Sequence, residues 1–181
     1  MKIAVVGSGG VGGRFGARLA VGGNAIRFVA RGQHLEAIQR NGLTIRSSRG
    51  DVHLDKVNAV DSVEKMENID LVLIAVKLWD TEEVARVLRP LAEQGAAILS
   101  LQNGVEKDDV LRRFLPPGSV LGGVCYISAS IASLELSIIM DQSSALPSAN
   151  ILARRRRGLR CSCRLAGMRG SMLTRLPTSR A

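Results

Sequence analysis

A short apolar run, Lys2–Val6, passes directly into Gly7-Ser8-Gly9-Gly10-Val11-Gly12. Val11, Phe15 and Leu19, with Ala17 and Ala20, then recur at helical spacing; Gly22-Gly23 closes that stretch, and Ala25–Val29, apolar apart from Arg27, makes a second strand. A compact apolar run bounded by turn residues reads as a buried strand, and the 3.6-residue recurrence reads as a helix. The first thirty residues therefore predict strand, glycine turn, helix and strand. Each glycine has a physical task in such a unit. Gly7 permits the tight turn out of the strand, Gly9 leaves space for a pyrophosphate, and Gly12 lets helix and strand pack closely. Pyrophosphate oxygens take hydrogen bonds from backbone N–H groups at the helix N-terminus. The layout predicts a dinucleotide-binding turn made of Gly7, Ser8, Gly9, Gly10, Val11 and Gly12; a purely structural glycine turn is the alternative.

The alternation continues along the chain. Gln33–Arg40 reads as a helix, Leu43–Arg46 and Val52–Leu54 as a strand pair, and Val57–Val60 and Leu71–Val76 as strands. Asp80-Thr81-Glu82-Glu83 predicts a capping box, with Asp80 as cap and Glu83 three residues on, opening a helix to about Leu88 before Pro90. Ala96–Leu101, Glu106–Phe114 and Val120–Tyr126 follow as strand, helix and strand. Strands alternating with helices argue for a mostly parallel, doubly wound α/β sheet. The uncharged run Phe114–Leu134 is long enough to span a bilayer, but Pro116, Pro117, Gly118, Gly122 and Gly123 favour a turn and a strand. The N-terminal apolar run is too short for a signal-peptide core, so a cytoplasmic protein without membrane attachment is expected.

Charge divides the chain unevenly. Of the net +9, residues 1–140 contribute almost nothing, with 16 Lys and Arg against 15 acids; residues 141–181 hold nine Arg and one acid, Asp141. All aromatics and every Val lie before position 127, and the last Lys is Lys107. A segment so composed has little with which to build a core. The fold is expected over 1–135, with 136–181 an Arg-rich tail. The arginines 154–157, Arg160 and Arg164 invite comparison with a nucleic-acid arm, but no aromatic is interleaved for base stacking, and nucleic acid is not expected as a partner. Cys125, Cys161 and Cys163 form no even framework, and with only His34 and His53 they lack the ligand set of a zinc site. Unpaired thiols and no metal are expected.

Four residues near predicted strand ends are candidates for chemistry. Dinucleotide sites that prefer NAD place an acid after the second strand, where it accepts from the ribose 2′-OH. Here Arg31 follows Val29-Ala30 instead. Its fork of donors suits a 2′-phosphate, so NADP(H) is the expected cofactor. His34 could help to hold that phosphate, but reads better as a surface residue of the following helix. Lys77 lies just past the Leu71–Val76 strand, where ligands bind in such sheets, although strand-end lysines are also commonly solvated. Asn103, in Leu101-Gln102-Asn103-Gly104, could orient a carbonyl or amide through its paired donor and acceptor, or could simply make a turn.

Taken in order, Val5–Ala20, Val29–Ile38, Ile74–Asp80, Leu101–Glu106 and Gly122–Ala129 resemble the cofactor domain of ketopantoate reductases, the NADP-dependent 2-dehydropantoate 2-reductases of pantothenate synthesis. The resemblance covers about 1–135 and implies a Rossmann-like, doubly wound sheet. It implies that the glycine turn binds the pyrophosphate and that Arg31 holds the 2′-phosphate. It also implies that Lys77 contacts the cofactor and that Asn103 lies near nicotinamide and keto acid.

The family adds a helical C-terminal domain supplying a general-acid lysine and a substrate-binding carboxylate, and no residue after Lys107 matches that lysine. The expectation is a chain with the helical domain missing, its tail disordered or read out of frame from near Ser133–Ile139, and weakly active or inactive. Self-association through the apolar surface thus left open is expected with it. The alternatives are a non-catalytic NADP-binding fragment and a related NADP-dependent keto- or hydroxy-acid dehydrogenase.

Overall fold

The computed structural model describes residues 1–47 and 50–125, together with three short strands at 130–131, 137–139 and 152–154. Its elements are β1 (Lys2–Val6), α1 (Gly10–Val21), β2 (Ala25–Val29), α2 (Gly32–Asn41), β3 (Leu43–Arg46), β4 (Val52–Leu54) and β5 (Ala59–Val60). They continue as β6 (Leu71–Ile74), α3 (Thr81–Glu93), β7 (Ala97–Ser100), α4 (Lys107–Phe114), β8 (Val120–Val124), β9 (Ser130–Ile131), β10 (Ser137–Ile139) and β11 (Leu152–Arg154).

Six parallel strands run in the order β8-β7-β6-β1-β2-β5, with β11 antiparallel on the β8 edge. A smaller sheet, β4-β3-β10-β9, packs alongside. The chain builds outward from β1 through β2 to β5, then returns to the other side of β1 for β6, β7 and β8. This is the doubly wound arrangement, and its reversal falls between β1 and β6.

Both faces of the sheet are covered, so its central strands carry continuous apolar runs. Alternate side chains serve opposite cores. Ile3, Val5, Phe28, Leu71, Leu73 and Leu99 meet Phe15 of α1 and Ile38 of α2. Ala4, Val6, Val29, Val72, Ile74 and Ile98 meet Val84, Leu88 and Leu91 of α3 and Leu111 of α4. The period-2 alternation of the strands thus decides which helices pack where.

Four local expectations are corrected. Asp80 does not cap α3 through its side chain, because a 3-10 turn over Leu78–Asp80 already holds it in the helical region at φ −88°, ψ −3°. A side-chain cap calls for extended backbone at that position. Instead, the Thr81 hydroxyl donates to the Leu78 carbonyl at 2.6 Å. Nor does α3 stop before Pro90; it runs to Glu93 because Leu91 and Ala92 continue the buried stripe set by Val84, Ala85 and Leu88. Pro90 is exposed and removes one i→i−4 hydrogen bond from the helix. Finally, β6 ends at Ile74, not Val76, and β5 holds only Ala59–Val60. Of the stretch from 136 onward, β10 pairs with β3 and β11 with β8. The remainder, including Arg155–Arg157, Arg160, Cys161, Cys163 and Arg164, lies outside the described residues, as does Tyr126.

Helix α1 sits tightly against β2 at Gly16, where an added β-carbon would lie 2.3 Å from Cε1 and 2.5 Å from Cζ of Phe28. Phe28 is fully buried and has little room to retreat. Gly16→Ala is expected to destabilise the chain by about 1–3 kcal/mol through overpacking. The measurement is a lower urea midpoint at unchanged m-value; an unmoved midpoint would contradict this packing.

Candidate functional site

The carboxyl ends of β1 and β6 part at the reversal of strand order, and the glycine turn occupies the gap. Gly7 has φ +94°, and a β-carbon there would fall 2.8 Å from the Ala75 carbonyl carbon and the Val76 nitrogen. At Gly12 a β-carbon would lie 1.9 Å from the Gly7 carbonyl oxygen, so the first turn of α1 rests directly on the strand exit. Beside Gly9 the space is open to at least 4 Å. Gly10, Val11 and Gly12 form the first turn of α1. That helix carries no side-chain cap and no acidic residue in its first turn. Its leading N–H groups lack intrahelical acceptors and its dipole favours an anion.

Ser8 is buried beneath the turn and is held by residues from two other elements. Its hydroxyl donates to the Val29 carbonyl at 3.3 Å, while His34 Nε2 lies 3.0 Å from the Ser8 carbonyl oxygen and 2.9 Å from Ser8 Oγ. With the hydroxyl proton directed at Val29, both Ser8 contacts are acceptors, so the Nε2–H tautomer of His34 donates to them. His34 is therefore not a plain surface residue of α2, as its sequence position suggested. It ties α2 to the glycine turn.

Gly7, Ser8, Gly9, Arg31 and His34 line one pocket of about 310 Å³. Its apolar wall comes from Val6, Val29, Ala30 and Val76, and its far side from Asp80 and Val84 at the start of α3. The volume lies at the small end of the range for ligand sites. Arg31 Nη2 stands 3.7 Å from Glu83 Oε1, both side chains largely exposed.

Lys77 and Asn103 are exposed and do not line this pocket. A residue that sequence reasoning passed over joins their loops. The buried Gln102 donates through Nε2 to the Val76 carbonyl (3.1 Å), the Lys77 carbonyl (3.2 Å) and Thr81 Oγ1 (2.8 Å), and its Oε1 accepts from Ser100 Oγ (2.9 Å). Lys77 and Asn103 thus leave adjacent strand ends from one hydrogen-bonded frame. Lys107 was also missed. It is buried, with Nζ donating to the Gly123 carbonyl at 3.0 Å and to Asp108 Oδ1 at 2.7 Å, so it fastens α4 to β8. Cys125 is a free thiol whose pKa burial pushes up to about 11, leaving it a poor nucleophile near neutrality. Among the described residues, no group of three or more His, Cys, Asp or Glu could hold a metal ion.

Replacing Gln102 by Leu keeps the volume but removes the amide that satisfies the Val76 and Lys77 carbonyls. The expected cost is about 1–3 kcal/mol, the usual penalty for leaving buried polar groups unpaired. Hydrogen exchange at the amides of Asp80 and Thr81 is expected to speed up with it. Wild-type stability and exchange in Q102L would remove Gln102 from this role.

Comparison with known proteins agrees with this geometry. Residues 3–137 match the family described as ketopantoate reductase PanE/ApbA. A 2-dehydropantoate 2-reductase of Nostoc sp. is 31% identical over 129 residues, which cover 71% of this chain and 40% of that protein. The crystal structure of 2-dehydropantoate 2-reductase from Geobacter metallireducens superposes with a TM-score of 0.76 at 30% identity, covering 86% of this chain and 49% of that one. A ternary structure of D-mandelate dehydrogenase with NADH and anilino(oxo)acetate gives a TM-score of 0.70 at 26% identity, over 79% of this chain and 46% of that one. The chain thus spans less than half the length of each of these relatives. With the strand order, the glycine turn at the reversal and a match over most of its length, the chain belongs to the ketopantoate reductase family of oxidoreductases.

Proposed function

We propose that residues 1–135 form an NADP(H)-binding unit whose chemistry is the reduction of 2-dehydropantoate to pantoate in pantothenate synthesis. The observation that carries the reading is the uncapped, acid-free N-terminus of α1 behind Gly7–Gly12, opening on a pocket that also holds Arg31. In this reading the pyrophosphate lies on the turn, His34 keeps the turn rigid through Ser8, and Arg31 receives the adenosine 2′-phosphate. Lys77 faces the cofactor and the Asn103 amide orients the keto acid. A bound NADPH supplies a hydride to the keto carbon. The alkoxide that develops there requires a proton from a positioned acid. Lys107, the last lysine of the chain, has its Nζ engaged by Gly123 and Asp108 and is not available for that task. A cytoplasmic setting is part of the same reading and is supported by the free Cys125 thiol; no helix among the described residues is long and apolar enough to cross a membrane.

A second reading rests on the likeness to D-mandelate dehydrogenase, a protein whose structure carries NADH. On that reading the chain serves a different 2-keto or 2-hydroxy acid. Comparing 2-dehydropantoate with other 2-keto acids as substrates separates the readings in a protein that also supplies the acid.

For the chain itself, isothermal calorimetry is expected to register NADPH binding, weakened about tenfold or more by Arg31→Ala, as for loss of charge-assisted bonds. NADPH oxidation on addition of 2-dehydropantoate is expected to stay at background. Absence of binding heat would refute the cofactor assignment, and turnover at an ordinary enzymatic rate would refute the account of the proton.

Leu78, Trp79 and Val105 expose 50%, 79% and 93% of their surface on the loops that carry Lys77 and Asn103. These loops touch, since a β-carbon on Gly104 would lie 3.8 Å from Leu78 Cδ2. Apolar surface grouped in this way favours association. Sedimentation velocity is expected to reveal concentration-dependent dimers or larger species, reduced by Trp79→Ser; a monomer at all concentrations would count against it.

A further inference from the structure

We infer that Glu83 is a specificity-determining residue of the dinucleotide site, acting against the 2′-phosphate and narrowing the preference for NADP over NAD. The inference rests on the cofactor reading above and adds a residue from a different element. Sites that prefer NAD set a carboxylate at the end of the second strand to accept from the ribose 2′-OH. This chain has Arg31 there, yet a carboxylate is present all the same. It arrives from across the pocket, in the first turn of α3, with Oε1 3.7 Å from Arg31 Nη2. Asp80 and Val84, on either side of Glu83 in the sequence, line the same pocket as Arg31 and His34. The Arg31–Glu83 pair therefore links the β2–α2 junction to the first turn of α3 beside that pocket.

Three consequences follow from charge. In the free chain Glu83 occupies part of the Arg31 guanidinium, so a 2′-phosphate must displace it. Once the phosphate is bound, the carboxylate remains a few ångströms from a dianion and repels it. With NAD neither penalty exists, and a carboxylate at that place can accept from the free 2′-hydroxyl. Both partners are mostly exposed, so the effect has the size of a surface charge pair and is screened by salt. Glu82, one residue earlier, provides the internal comparison. It carries the same charge on the same turn but is paired with Arg86 along the helix.

The test is calorimetric titration of the whole chain and its variants with NADP⁺ and NAD⁺, which differ only in the 2′-phosphate, at low and high salt. Glu83→Gln is expected to raise the ratio of the NAD⁺ to the NADP⁺ dissociation constant about three- to fivefold at low salt, and less at high salt. Glu82→Gln is expected to leave the ratio within error. An unmoved ratio in E83Q, or an equal rise in E82Q, overturns the role of Glu83 while leaving dinucleotide binding intact. A wild-type chain that binds neither dinucleotide overturns the cofactor reading and this inference with it.

Discussion

Strand β1 and helix α1 meet through a contact that only glycine permits: a β-carbon on residue 12 would lie 1.9 Å from the Gly7 carbonyl oxygen. Everything at the site depends on that approach. It sets the first turn of α1 on the carboxyl end of the central strand, and it forces Gly7 into positive φ against the backbone of Ala75 and Val76. The turn is thereby wedged between β1 and the exit from β6, where the order of the parallel strands reverses. Larger side chains at these two positions would push the helix away from the strand exit. The open space beside Gly9 is the complement of these two close contacts.

The helices divide by charge in a way that matches their surroundings. Helices α3 and α4 begin with acids in the first turn, Glu82 and Glu83 in one and Asp108 and Asp109 in the other, which satisfy the positive end of the dipole. Helices α1 and α2, which start at the glycine turn and at Arg31, have none, although the pocket also borders the start of α3. A helix end left without an internal anion is less stable alone and better suited to an external one. Glu83 connects the two groups, because it completes the dipole of α3 and also reaches the cation at the start of α2.

The parts of this architecture that were legible in the sequence are those decided by short-range pattern. The runs at Ile3–Val6 and Leu71–Ile74 are strands because burial on both faces requires consecutive apolar residues, and the glycine spacing marked the turn. What escaped was decided at long range. His34 looks like any polar residue of an amphipathic helix until α2 brings it against Ser8, 26 residues away. Gln102 looks like part of an Asn-Gly turn until β7 sets it beside the loop of Val76 and Lys77, about as distant in sequence. The capping box failed for a local reason, the 3-10 turn that keeps Asp80 helical. Pro90 misled because the burial of Leu91 and Ala92 outweighs one lost hydrogen bond at an exposed position. Glu83 was read as a capping residue only, since nothing in its neighbourhood along the chain announces Arg31.

The site as built has two halves of different character. Around the glycine turn, Arg31 and His34, the backbone is fixed by close contacts and the pocket has walls. Around Lys77 and Asn103 the frame is fixed by Gln102, but the side chains stand in solvent beside exposed Leu78, Trp79 and Val105. Binding a phosphate can be done at a wet surface, because backbone donors and a guanidinium recognise it there. Transferring hydride to a carbonyl cannot be done as well, because stabilising the developing alkoxide needs preorganised dipoles in a site that excludes water. The exposed apolar residues around Lys77 and Asn103 are suited to contact with a covering surface, and such a surface would also lower the local dielectric. On the reading proposed above, a surface packed on that edge would be what separates dinucleotide binding from hydride transfer.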